Sequence, residues 1–195
     1  MKDHKDKYYK LAKKTGYRSR AAYKLLEING KFGILDRARK VIEIGSSPGG
    51  WTDVLLETEP EFLLCVDIAG KKTDDFPIFV KGDVTKENTW VDVRDKLSGL
   101  KVDLILSDAM AHTTGQHDRD HSLSIDICNS IVDQGIKVLR VGGNMLLKQF
   151  QGQYTKEFVD KYKGYFKRNY ITKPSVSRSE SSEIYIFFAG LIDSH

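Results

Sequence analysis

The sequence predicts an α/β chain with a mostly parallel, doubly wound sheet, and three observations carry that prediction. Short apolar runs rich in β-branched residues alternate with segments of helical periodicity, the pattern of βαβ units with right-handed crossovers. One run, Val41-Ile42-Glu43-Ile44, leads directly into a small-residue turn, Gly45-Ser46-Ser47-Pro48-Gly49-Gly50-Trp51, and then into a helix. The last two apolar runs are joined only by residues 173–182, too short for a helical crossover, so they should pair antiparallel as a hairpin. Together these give a seven-stranded sheet with one antiparallel strand near the C-terminal edge. At 195 residues and 40% hydrophobic content, the chain is expected to form one globular domain, 1–195, with a full core.

Taken in order, residues 1–17 are too polar to pack and read as a basic N-terminal arm. Ser19 caps an amphipathic helix over 20–28, with Ala21, Leu25 and Ile28 on one face and Lys24 beside Leu25, and Asn29-Gly30 ends it. Strand 41–44 and the turn are followed by a helix over 49–57. Strand 62–67 ends in Asp67, and after the loop 69–75 a short strand, 78–80, leads to Lys81-Gly82-Asp83. Residues 88–97 space Trp90, Val93 and Leu97 for one buried helical face. Strand 102–107 delivers Asp108 at its tip. A long helix over 122–139 returns the chain through Gly142-Gly143 to strand 144–147, which delivers Lys148. A helix over 155–162 precedes the final strands, 165–172 and 183–189.

Composition narrows the function classes. No apolar run is long enough to span a membrane, and the charged N-terminus does not read as a signal peptide. Cys65 and Cys128 both sit among apolar residues, the pattern of reduced, core-facing thiols, so a cytoplasmic protein is the expectation. The net charge of +4 is unevenly spread. Residues 1–24 hold nine Lys/Arg against Asp3 and Asp6, a net of +7, which leaves −3 for the rest. Tyrosines 8, 9, 17 and 23 are interleaved with those cations, and residues 156–178 form a second basic segment with seven Lys/Arg. Two basic segments with planar side chains among them suit a nucleic-acid partner; a solvated basic tail would look the same over residues 2–10 alone.

Strand, glycine turn, helix, and a second strand ending in an acid is the arrangement that holds a nucleotide-like cofactor. The turn offers helix N-terminal amides, and the acid accepts from a ribose diol. The turn lacks the middle glycine of G-x-G-x-x-G, and the chain has no G-x-x-x-x-G-K-[ST]. A cofactor without a pyrophosphate, S-adenosylmethionine, fits those absences, although an ordinary βα turn could share the pattern. Asp67, Asp83, Asp108 and Lys148 all fall at or just past strand ends, so the four should face one crevice at the carboxyl edge of the sheet.

Arg18-Ser19-Arg20-Ala21-Ala22-Tyr23-Lys24-Leu25, the Pro48-Gly49-Gly50-Trp51 turn, Leu106-Ser107-Asp108, Leu147-Lys148 and Ser181-Ser182-Glu183-Ile184-Tyr185 together resemble the FtsJ/RrmJ family of RNA ribose 2′-O-methyltransferases. The resemblance runs from about Tyr17 to Ala189 in the family's order and spacing. It implies a Rossmann-like methyltransferase fold and a K-D-K-E tetrad at Lys24, Asp108, Lys148 and Glu183. It also implies S-adenosylmethionine contacts at Gly49, Trp51, Asp67, Asp83 and Asp108, with Asp83 on the adenine amine. The implied substrate is a uridine ribose of large-subunit (23S) ribosomal RNA within an assembled particle, acted on by a monomer. One departure is local: the family commonly reads D-x-A-P, whereas this chain continues Asp108-Ala109-Met110-Ala111-His112.

The tetrad makes chemical sense. Methyl transfer from a sulfonium to a hydroxyl is an in-line displacement, so alignment supplies much of the acceleration. A lysine can accept the hydroxyl proton only when neutral, and a second amine nearby plus desolvation favours that form. The expectation is Lys148 as base, Asp108 as its orienter and a contact to the methyl donor, and Lys24 and Glu183 as substrate positioners. His112, His117, Asp118, Asp120 and His121 form a cluster that reads as a polar loop and helix start, with no metal, since no third ligand has a partner spacing. Rival readings are a tRNA 2′-O-methyltransferase, a non-catalytic cofactor-binding RNA module, and a NAD-dependent dehydrogenase, the last disfavoured by the missing glycine.

Overall fold

Strand β1 (Lys40–Ile44) is buried along its length beyond Lys40, with neighbours on both sides. That double burial is why apolar residues fill the buried stretch on both faces, with Glu43 the one polar exception. The structure, a computed structural model, describes residues 3–69, 78–111, 113–177 and 181–192. Chain order is α1 (Asp3–Thr15), α2 (Ala21–Phe32), β1, α3 (Gly50–Leu56), β2 (Phe62–Asp67), β3 (Ile78–Lys81), α4 (Glu87–Leu97), β4 (Val102–Ser107), α5 (His117–Gly135), β5 (Leu139–Phe150), α6 (Thr155–Tyr162), β6 (Phe166–Thr172) and β7 (Glu183–Leu191). The seven strands form one sheet ordered β3-β2-β1-β4-β5-β7-β6. All neighbouring pairs are parallel except those of β7, which runs antiparallel to both β5 and β6. The single antiparallel strand therefore lies second from the edge, as the short hairpin connection required.

Helices cover both faces. Leu25 and Ile28 of α2 and Trp51, Val54 and Leu55 of α3 pack with Val41, Leu63 and Leu104 on one side. Trp90 and Val93 of α4, Cys128 and Ile131 of α5, and Phe158 and Tyr162 of α6 fill the other with Ile42, Leu64 and Ile105. Because β7 reverses direction, its first residue, Glu183, lies at the sheet edge where β1, β4 and β5 end.

Four local expectations shift. Residues 3–15 are helical, and Ala12, 2% exposed, seats that helix on the domain. Tyr8 and Tyr17 both pack against Tyr23 with ring centroids 5.6 Å apart, so the polar count of this segment understated its contacts. Helix α2 continues through Asn29-Gly30 to Phe32 and ends at Gly33, in the left-handed region at φ 61°; the Asn29 carboxamide instead accepts from the Leu35 amide at 2.8 Å. Helix α5 starts at His117, five residues early, because the Asp120 carboxylate gathers the amides of Thr114 and Gly115 into its first turn. Gly142-Gly143 lie inside β5, where a register shift against β4 absorbs extra residues. Of the loop 69–75, residues 70–75 lie outside the described residues.

Candidate active site

The turn after β1 is shaped by close contacts at its glycines. A Cβ on Gly45 (φ 75°) would lie 2.5 Å from the backbone N and Cα of Ala109, so the glycine turn rests directly on the chain that follows Asp108. The amide of Asp108 donates to the Ile44 carbonyl at 3.0 Å, which ties the two strand ends together. Gly49 (φ 111°) and Gly50 meet Arg18 and Ser19: Cβ atoms there would come within 2.7 Å of the Arg18 guanidinium and 2.1 Å of the Ser19 hydroxyl. Arg18 is held in turn by Asp53 in the first turn of α3, through its amide and its Nε, both at 2.7 Å. The R-S-R segment and the P-G-G turn are two halves of one contact, which the sequence order alone does not reveal.

Asp67, at the tip of β2, accepts from the Ser47 amide at 2.8 Å and the Ala69 amide at 2.7 Å. Its carboxylate thus borders the turn, with lone pairs left for a diol. The Ser46 hydroxyl in the same turn is buried with no hydrogen-bond partner among the described residues. Trp51 is a core anchor: it is 2% exposed, and its indole N–H donates to the Ala21 carbonyl of α2 at 2.9 Å. Asp83 lies past the end of β3, is exposed, and caps the turn into α4 by accepting from the Thr85 amide at 2.9 Å. Asp67 therefore borders the turn and Asp108 is tied to it through the Ile44 carbonyl, while Trp51 is anchored in the core and the Asp83 carboxylate is engaged with Thr85 at the start of the α4 turn.

The tetrad forms two ion pairs. The Lys148 ammonium sits 3.0 Å from Asp108 Oδ1 and donates to the Asp108 backbone carbonyl at 2.5 Å. Lys24 donates to Glu183 Oε2 at 2.6 Å. Both lysine side chains are less than 10% exposed, so each charge is compensated by its own carboxylate out of reach of bulk water. That pairing offsets the mutual repulsion of the amines that the sequence suggested. Lys148 lies within β5, opposite Tyr185 of β7 in the antiparallel register, and not just past a strand end.

Tyr185 is the site residue that reading missed. It is fully buried, its hydroxyl donates to Asp108 Oδ1 at 2.8 Å, and its ring packs 5.8 Å from Trp51 and 6.0 Å from the Lys24 ammonium. Burial first, then the Asp108 and Glu183 carboxylates, push its phenol well above the ordinary value, so it remains a donor. A signal existed: Tyr185 is two residues past Glu183 on a strand, hence on the same face.

Beneath the turn, Glu43 is 1% exposed and accepts from Thr52 Oγ1 at 2.6 Å. Burial lifts its carboxyl to about 8, against smaller opposing pulls from its Thr52 and Cys65 hydrogen bonds. Cys65 and Cys128 are free and buried. Among the described residues, no group of three His, Cys, Asp or Glu side chains is disposed to hold a metal ion. Asp120 and His121 of the polar cluster serve the loops, and His112 lies outside the described residues.

Known proteins resemble this chain over nearly its whole length. The model of the family described as FtsJ-like methyltransferase matches residues 17–191. A Picrophilus torridus protein named ribosomal RNA large subunit methyltransferase E is 44% identical over 191 residues, covering 96% of this chain and 98% of its own. The protein of the same name from Thermoplasma acidophilum is 42% identical, covering 96% and 93%. A crystal structure from Plasmodium falciparum, described as a ribosomal RNA methyltransferase, superposes with a TM-score of 0.80 at 29% identity over 90% of this chain and 99% of its own.

Proposed function

The chain belongs to the FtsJ-like methyltransferase family, and from that premise we propose that it methylates a ribose 2′-hydroxyl in large-subunit ribosomal RNA with S-adenosylmethionine. The observation that carries the proposal is the placement of Lys148 and Asp108. Their buried pair stands on the strand edge whose backbone the glycine turn touches.

The residues fit the cofactor. Gly49 and the orphaned Ser46 hydroxyl would cradle it, Asp67 would accept from its ribose, and Asp83 would reach its adenine amine. When bound, it supplies a methyl group on an electron-poor sulfonium. The work of the chain is alignment and proton handling. Lys148, in its neutral form, takes the proton that the ribose hydroxyl loses. Asp108 aims that amine through its backbone carbonyl and Oδ1, and Tyr185 fixes the carboxylate by donating to the same oxygen. Lys24 and Glu183 border the other side and position the substrate.

The RNA backbone is held by the basic face of α1, where Lys7, Lys10, Lys13 and Lys14 are exposed beside Tyr9. In the second basic segment, three of the seven cations have acidic neighbours, and Lys167, Arg168 and Lys173 are exposed. Lys156 and Lys163 both pair with Asp160 at 2.6 Å, and Lys161 lies 3.8 Å from Asp133. Arg178 lies outside the described residues.

The test is transfer of labelled methyl groups to purified large subunits, free ribosomal RNA and bulk tRNA. Label in large-subunit RNA is the expected result. Label in tRNA alone would keep the chemistry and overturn the substrate, and bound cofactor with no label anywhere would leave only a binding module.

A further inference from the structure

Beyond β5 the chain enters a short loop, residues 151–154, that the chemistry described so far does not use. We propose that Tyr154 is a stacking platform for a nucleobase of the single-stranded RNA segment carrying the target ribose, an inference that rests on the reading of this site as an RNA methyltransferase.

The loop is tied to the tetrad at its start. The Gln151 amide donates to the Ser182 carbonyl at 2.8 Å, next to Glu183 and three residues past Lys148. Three trans peptide steps separate Gln151 from Tyr154, which keeps their Cα atoms within about 11 Å of each other. Tyr154 therefore stands one short loop away from the strand that carries Lys148.

The ring is held still and left open. Tyr154 is 43% exposed, yet it stacks on His121 with planes 5° apart and centroids separated by 5.6 Å. His121 is 2% exposed, and its ring nitrogens are used by the end of β5 and by this loop. Nε2 lies 3.1 Å from the Tyr154 amide, and Nδ1 lies 2.7 Å from the Phe150 carbonyl. A backbone amide only donates, so Nε2 accepts and the ring proton sits on Nδ1, donating to Phe150. Gly152 closes the loop over the imidazole: a Cβ there would come within 2.5 Å of the ring. The offset stack on His121 fixes the plane of the Tyr154 ring while much of the residue stays open to solvent.

This arrangement suits a base. Splayed bases in single-stranded RNA are bound by stacking on aromatic side chains, and every base offers a π-face whatever its sequence. A ring already immobilised by a buried partner loses little freedom when a base stacks on it. The competing explanation is that Tyr154 only roofs His121, in which case its removal would lower stability and leave RNA binding untouched.

Binding of a fluorescently labelled, unstructured oligoribonucleotide of mixed sequence separates the two. Tyr154→Ala should raise its Kd about 5- to 100-fold, with cofactor binding retained, while Tyr154→Phe stays within about twofold because the π-face remains. In methyl transfer the loss should fall on KM more than on kcat. Tyr154→Trp supplies a direct reading, since a base stacked on the indole quenches emission that the buried Trp51 and Trp90 do not lose in the wild type. Unchanged affinity in Tyr154→Ala, or an unquenched Tyr154→Trp that still binds, would overturn the platform. If Tyr154→Ala loses affinity for the oligoribonucleotide yet the wild type methylates no RNA, the proposed reaction fails and Tyr154 is left as a base platform without a target ribose. If the wild type binds no RNA, the platform falls as well.

Discussion

Two sets of lysine–carboxylate pairs in this molecule have nearly the same bond lengths and opposite consequences. On α6 and just past its end, Lys156 and Lys163 sit 2.6 Å from Asp160, with the lysines 88% and 55% exposed. In the crevice, Lys24 sits 2.6 Å from Glu183 and Lys148 3.0 Å from Asp108, with the lysines 8% and 6% exposed. On the surface, water already solvates each charge, and the pair adds little. In the crevice the charges have lost that water, so removing one partner strands the other in a poor medium. Burial, not distance, marks the pair that can do chemistry. The same contrast explains why a basic stretch in the sequence is a weak guide to RNA contact: the cations of α6 have local partners on α5 and within α6 itself.

The comparison predicts a descending series. Asp108→Asn removes the charge that aims Lys148, and kcat should fall about 10²-fold, measured at saturating cofactor and RNA. Tyr185→Phe removes one donor from a charged acceptor; at about 1.5–3 kcal/mol for such a bond, kcat should fall about 10- to 100-fold with the fold intact. If Tyr185→Phe left kcat unchanged, the phenol would be packing alone. Asp160→Asn should leave kcat, KM and thermal midpoint essentially as in the wild type, because that pair lies in water.

Glu43 offers a pH handle on stability away from the chemistry. Its carboxyl is lifted from the ordinary 4.5 to about 8, so between those values the folded state holds a proton that the unfolded chain releases. Its contribution is complete below about 4.5 and is lost as pH rises to about 8. Glu43→Gln keeps an acceptor for Thr52 and removes the titration, so its unfolding free energy relative to the wild type should rise from pH 5 to pH 8, by a few kcal/mol in order of magnitude, with the thermal midpoint following. Parallel unfolding curves across that range would refute the buried neutral acid.

Much of the arrangement was legible because strand ends in a doubly wound sheet point one way. Strands β2 and β4 fall where the apolar runs placed them, and Asp67 and Asp108 lie at one edge as that rule requires. What escaped depended on long-range register. Tyr185 meets Asp108 only because β7 pairs antiparallel with β5, setting Lys148 opposite Tyr185. The glycines at 142 and 143 looked like a turn because a bulge and a turn demand the same backbone freedom. The N-terminal segment looked unpackable because one buried alanine and a tyrosine cluster leave little trace in a hydropathy count.

The most direct measurement is single-turnover methyl transfer at saturating cofactor and RNA for Lys148→Ala beside Lys156→Ala. The account predicts that Lys148→Ala slows the chemical step about 10²- to 10⁴-fold with cofactor affinity preserved, while Lys156→Ala transfers at the wild-type rate. Near-normal single turnover in a folded Lys148→Ala protein would contradict it, and the base would have to be sought elsewhere.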